Sequence, residues 1–133
     1  MDVLLSIKPK YVKSIIEGDK RYEFRKKIFK NREINRIYIY SSSPVKKIAG
    51  TFEIGGILED HPCDLWDMVK EFAGIDNRDF FAYFEGKSQA FAIKIQNLRE
   101  FSEPIDPYET MPGFVPPQSY CHMDGEKCLA AQR

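Results

Sequence analysis

A chain of 133 residues and 15.5 kDa has the length of one domain, and its 43% hydrophobic, 14% aromatic and 30% charged residues exclude a disordered or collagen-like polymer. Apolar runs reach only about four residues, as in Ala90 to Ile93, where a membrane span needs about 20, so no bilayer crossing is expected. The formal charge is zero, yet residues 1–47 hold 13 of the 20 Lys and Arg against 5 of the 20 Asp and Glu, a net +8 balanced by −8 in the remainder. Val3, Leu5 and Ile7 alternate with Asp2, Leu4 and Ser6, which predicts a strand over 2–7. Pro9 then opens a helix over 9–17, with Tyr11, Val12, Ile15 and Ile16 at helical spacing and Gly18 as its stop. From Arg21 to Lys27, Tyr22 and Phe24 alternate with Arg21, Glu23 and Arg25, so a second strand buries the rings and turns the charged trio to its other face. Arg36 to Tyr40 repeats that pattern, and Ser41 to Pro44 is a loop.

Lys47 to Leu58 reads as a long strand, bent or bulged at Gly50 and at Gly55-Gly56 as in small barrels. Asp60-His61-Pro62 breaks the chain. A helical stripe of Leu65, Trp66, Met68, Val69 and Phe72 follows, ending at Gly74, and Asp76 caps a second helix over Phe80, Phe81 and Phe84. These two short helices form an insertion packed on the sheet, with their aromatic residues as core. Phe91, Ile93 and Ile95 alternate in a strand running to Glu103. Pro104 to Pro117 is an ordered loop or a short helix with turns, Ser119 to Met123 a last strand, and 124–133 a polar, frayed tail. The expected architecture is α+β: a small mixed β-barrel of five to six strands with an N-terminal helix and two short inserted helices, one domain over 1–123.

Three cysteines, odd in number and widely spaced, fit reduced thiols, and the absence of a basic, apolar leader predicts a cytoplasmic setting. His61, Cys63, Cys121 and His122 lack paired C-x-x-C spacing, so no metal is expected, and no sequence feature calls for a cofactor. The basic cluster between Lys8 and Arg36 has two readings. It either solvates one helix and two strands, or it raises the local concentration of a phosphate-bearing ligand. Lys20, in the turn after the helix, can swing toward Glu23 and Arg25. Two cations and a carboxylate then suit a phosphate and a base edge, with Tyr38 and Tyr40 as a stacking surface if they share a side. Without such convergence the trio is an exposed ion-pair cluster worth ~0–1 kcal/mol per pair.

The octad Gly18-Asp19-Lys20-Arg21-Tyr22-Glu23-Phe24-Arg25 reads G-x-K-x-x-E-x-R at a helix-to-strand junction. It resembles the signature of the ASCH domain family, a branch of the PUA-like β-barrel superfamily. Leu5 to Pro9, Tyr40 to Pro44, the strand with Gly50, and Pro117 to Tyr120 extend the likeness over about residues 2–123, toward a bacterial and archaeal subgroup of predicted transcription or RNA regulators. The resemblance implies a barrel whose cleft near the first helix binds RNA or a nucleotide-like ligand, DNA being a further partner. Lys8, Lys20, Glu23, Arg25, Tyr40, Ser41, Ser42 and Gln118 are the expected binding residues. The alternative is a small hydrolase at the same cleft, with Lys20 and Glu23 as its acid–base pair. Family members that hydrolyse acetylated cytidine use a Lys and a Thr of this motif with a distant Glu. Glu23 stands where that pattern has Thr, and a carboxylate replaces a hydroxyl nucleophile poorly, which weakens the amidohydrolase reading; an acid–base pair of Lys20 and Glu23 still suits an amide or a phosphodiester, so the hydrolase is either an amidohydrolase on acetylated cytidine or a ribonuclease.

Overall fold

The computed structural model describes residues 1–30, 33–124 and 127–128. Its strands are β1 (Asp2–Ile7), β2 (Tyr22–Arg25), β3 (Arg36–Ser41), β4 (Lys47–Asp60), β5 (Ala90–Ile105), β6 (Tyr120–Asp124) and β7 (Lys127–Cys128). The helices are α1 (Pro9–Glu17), α2 (Pro62–Val69), α3 (Asn77–Tyr83) and α4 (Pro107–Thr110), with a 3₁₀ turn over Lys70–Phe72. All strands join one sheet in the order β2-β5-β4-β3-β1-β6-β7, curled as a half-barrel, and β1 runs parallel to β3 while the other pairs are antiparallel. The mixed α+β architecture and its two inserted helices agree with the sequence pattern. α4 lies inside the proline-rich stretch. β7 pairs with β6 where a frayed tail is expected, and the rest of that tail, 125–126 and 129–133, lies outside the described residues.

β1 is an interior strand between β3 and β6, and a core cluster covers each of its faces, so its apolar residues run nearly unbroken. Val3, Leu5 and Ile7 pack with Val12 and Ile15 of α1, Phe29, Ile37, Ile39, Phe52 and Ile93 in the main core. Leu4 faces the other way, toward Tyr40, Ile48, Met111, Cys121 and Met123. A third cluster seats α2 and α3 on β2 and β5 through Phe24, Leu65, Val69, Phe80 and Phe84. Phe80 and Phe84 are therefore core, as their helical spacing predicts, whereas Phe72 and Phe81 remain over a third exposed. The curl comes from the long β4–β5 ribbon, whose register shifts at three places, one beside Gly50. A Cβ on Gly50 would lie 2.3 Å from the Arg99 carbonyl oxygen, so only glycine allows the two backbones to approach this closely.

Two thiol expectations resolve differently. Cys63 is free and exposed, but Cys121 is disulfide-bonded rather than reduced. An odd count leaves room for one pair, and sequence spacing does not show which side chains a sheet brings together. His61 and Cys63 are occupied with the start of α2, where the Cys63 amide donates to His61 Nδ1 at 3.2 Å. Among the described residues, no group of three or more His, Cys, Asp or Glu side chains is placed to hold a metal ion, and no helix is long and apolar enough to cross a membrane.

Candidate functional site

The period-two alternation of β2 sends Tyr22 and Phe24 to the helical insertion and Glu23 and Arg25 to the opposite face. That second face is not solvent. Because the sheet curls, Glu23 and Arg25 are only 7% and 8% exposed, so the expected surface ion pair is a buried one. Arg25 Nη2 donates to Glu23 Oε2 at 2.8 Å and to the Ser6 carbonyl at 3.1 Å, while Nη1 donates to Ser119 Oγ at 3.1 Å. β2 is one edge of the sheet, and Ser6 and Ser119 belong to β1 and the residue before β6, near the other edge. One guanidinium thus bridges across the open side of the half-barrel, where no backbone ladder does among the described residues. Its planar fork of donors suits that task, and an ammonium would not reach all three acceptors.

Lys20 is held just as firmly. The turn after α1 forms an isolated bridge between Lys20 and Ala73, and the Arg21 amide donates to the Phe72 carbonyl at 2.8 Å. Lys20 Nζ donates to the Ala73 carbonyl at 3.0 Å and stands 4.4 Å from the centre of the Phe24 ring and 5.2 Å from that of Tyr11. The inserted helices therefore fix the motif lysine. Gly74 makes this possible: its φ is +63°, and a Cβ there would lie 2.2 Å from Lys20 Cβ. Burial strips water from the ammonium and lowers its pKa to about 8, an effect that Glu23 partly offsets and Arg25 reinforces.

Lys20, Glu23 and Arg25 line one cleft of about 940 Å³ between α1, β2, α3 and the segment before β6. Lys8, Tyr40, Ser42 and Gln118 line it too. Ser41 does not: it is buried at the end of β3, paired with Ile7 and Lys47. Tyr38 and Tyr40 share a side, as their spacing requires, but Tyr40 is covered by Phe114, ring centres 5.4 Å apart, and offers no open face for stacking. It contributes a hydroxyl instead. Burial and the neighbouring Tyr108 hydroxyl raise that phenol well above its ordinary value, so it stays protonated even in alkaline solution.

Residues that sequence reasoning passed over complete the lining. Lys10, Lys26, Lys27, Lys46 and Lys87 bring the cations on the cleft to eight, against the two carboxylates of Glu23 and Asp79. Seven of the eight come from the first 47 residues, so the basic half of the chain is largely the wall of one concavity. The charge asymmetry was the available signal for Lys10, Lys26, Lys27 and Lys46. Lys46 also adopts a left-handed backbone, φ 57°, which is uncommon for a lysine. Ser119 lies in the Pro117 to Tyr120 segment that the resemblance includes, but its place on Arg25 and that of Tyr83 on the cleft depend on strands and helices far apart in the chain.

Comparison with known proteins places this geometry. The model of the ASCH domain matches residues 5–105. An ASCH domain-containing ribonuclease of Zymomonas mobilis is 30% identical over 124 residues, covering 89% of this chain and 81% of that protein. A crystal structure of ASCH from the same organism superposes with a TM-score of 0.86 at 29% identity, over 94% of this chain and 89% of that one, and a tyrosine-to-phenylalanine mutant of it gives 0.85. Large ribosomal subunit protein uL22 of Ureaplasma parvum is 22% identical over 104 residues, which are 78% of this chain but 33% of that protein. A family model spanning three quarters of the sequence, with a relative and a fold that agree over nearly all of it, makes this chain a member of the ASCH domain family.

Proposed function

We propose that this protein binds single-stranded RNA in the basic cleft and cleaves it there. The observation that carries the reading is the set of eight cations on one concavity of a chain whose net charge is zero, where a phosphodiester backbone is the matching ligand. Kinship with a protein named a ribonuclease supports cleavage over binding alone. A regulatory role in transcription, which the subgroup resemblance implies, gains no support from these relatives.

The chemistry follows from what the side chains offer. In cleavage through the ribose, the 2′-oxygen bonds to phosphorus as its proton passes to water, and the bond from phosphorus to the 5′-oxygen breaks. The departing 5′-oxygen needs a proton, and the phosphorus-bound oxygens need positive charge. Lys20, with a pKa of about 8, is mostly an ammonium at neutral pH yet gives up its proton more readily than an exposed lysine. It is the proton donor in this reading. Lys8, Lys10 and Lys46 hold the phosphates, and Glu23, tied to Arg25, serves binding.

The test is incubation of end-labelled single-stranded RNA and of DNA of the same sequence with the protein and with Lys20→Ala. RNA fragments ending in a 2′,3′-cyclic phosphate, intact DNA, and loss of cleavage in the variant are expected. Equal cutting of DNA would refute attack by the 2′-oxygen, and undiminished cutting by Lys20→Ala would remove Lys20 from the reaction.

A further inference from the structure

Glu23 is an unusual group to find among eight cations. It is 7% exposed, it lines the cleft, and only one of its oxygens is engaged: Oε2 receives Arg25 Nη2 at 2.8 Å, while Oε1 accepts no hydrogen bond from the described residues. A carboxylate so placed repels phosphate, so neutralising the backbone does not explain it. Resting on the RNA reading above, we infer that Glu23 reads the base and makes the cleft select guanine.

The reason lies in the base edges. An ionised carboxylate only accepts hydrogen bonds, and it has two oxygens side by side. Guanine alone presents two adjacent donors, its N1–H and its exocyclic N2–H, on the Watson–Crick edge. Adenine and cytosine each present one amine next to a ring nitrogen lone pair, which a carboxylate repels. Uracil presents one N–H between two carbonyls, with the same repulsion on either side. Beyond guanine's N1–H lies its O6 acceptor, and the cations Lys20 and Arg25 flank Glu23 on the cleft wall. The order of acceptor, donor, donor on the base meets cation and carboxylate on the protein.

Tyr83 supplies a surface for the ring. It lies on α3, lines the cleft, remains 37% exposed, and its phenol is close enough to feel the charges of Arg25 and Glu23. Lys26 Nζ stands 4.7 Å from the centre of its ring, so a base that stacks there takes the place of the ammonium. A base stacked on Tyr83 with its edge toward Glu23 is unpaired by necessity, because a duplex already uses that edge. Guanine selection and single-strand selection thus have one cause.

Binding of fluorescent 2′-O-methyl heptamers, which resist cleavage through the ribose, tests this by anisotropy. The probes are a uridine tract with guanine, hypoxanthine, adenine or cytosine at its centre, and the uniform tract. Guanine is expected to bind roughly 10- to 100-fold more tightly than adenine, with hypoxanthine between them because it keeps N1–H and lacks the N2 amine. In Glu23→Gln the amide carbonyl stays on Arg25 and turns its NH₂ to the cleft, so the guanine probe is expected to lose its roughly 10- to 100-fold advantage and bind no more tightly than the adenine probe. Equal affinity for all centres with tight binding overturns the guanine inference and leaves RNA binding standing. No binding by any probe overturns both. If Glu23→Gln fails to fold, the hypoxanthine series on the unaltered protein decides: hypoxanthine equal to adenine or cytosine refutes the two-donor argument.

Discussion

Replacing Lys20 by methionine is expected to make the protein more stable and less active at once. In the folded state burial lowers the lysine pKa from 10.5 to about 8, so at pH 7 the fold must hold an ammonium in a site that disfavours charge. At about 1.4 kcal/mol per pKa unit the penalty is about 3 kcal/mol below pH 8. Methionine keeps the apolar stem against Phe24 and Tyr11 but forfeits the hydrogen bond to the Ala73 carbonyl and the attraction of the two rings, together worth about 1–2 kcal/mol. The net expectation is a gain of about 1–2 kcal/mol at pH 7, or about 3–8 °C in Tm for a domain of this size. Its pH dependence is diagnostic. The folded pKa lies below the unfolded one, so between pH 8 and 10.5 the unfolded chain binds more protons and the unaltered protein gains stability as pH rises. Above that window the lysine is neutral in both states and the advantage of methionine disappears. Thermal unfolding of both proteins from pH 7 to 11, alongside RNA cleavage, measures this. A variant less stable at pH 7, or a Tm difference that does not change across the window, refutes the account of Lys20 as a buried, costly cation.

Other consequences follow from the same contacts. Cleavage by the unaltered protein is expected to fall as pH rises through about 8, where Lys20 loses its proton; a rate that instead climbs through that pH would make Lys20 a base. Arg25→Ala removes the bridge to Ser6 and Ser119 and leaves Glu23 buried without its cation, so urea unfolding should show a loss of about 3–5 kcal/mol, and a loss under about 1 kcal/mol would contradict the buried pair. Gly74→Ala must strain a φ of +63° and strike Lys20 Cβ, which should lower Tm and abolish cleavage together; a neutral outcome would show that the insertion does not hold Lys20. RNA affinity should fall steeply with salt, and Lys27→Ala should flatten the slope of log affinity against log salt by about 0.7 without altering base preference; an unchanged slope would remove Lys27 from the phosphate contacts.

Much of the fold is local information, and local information was legible. Alternation in Val3-Leu4-Leu5-Ser6-Ile7 and in Tyr22-Glu23-Phe24-Arg25, the helical spacing over Pro9–Glu17, and the glycines of β4 each depend on a few neighbouring residues. So did the motif that carries the family, and the concentration of cations in the first 47 residues. What periodicity cannot tell is whether the second face of a strand meets water. Glu23 and Arg25 sit on the face that alternation assigns them, yet that face is closed over because β4 and β5 bend and carry β2 around toward β1. The hidden side of Tyr40 and the exclusion of Ser41 from the cleft have the same origin, since each depends on a segment distant in the chain.

The amino-acid order by itself determined the elements, their sequence along the chain, and a positive half that wanted an anion. Only the tertiary structure decided that a guanidinium on the edge strand β2 reaches across to β1 and the residue before β6, and that an inserted pair of helices pins a lysine until its proton is loosely held. The physical reason is that charge and spacing are properties of the chain, whereas desolvation is a property of what the curled sheet places around each group.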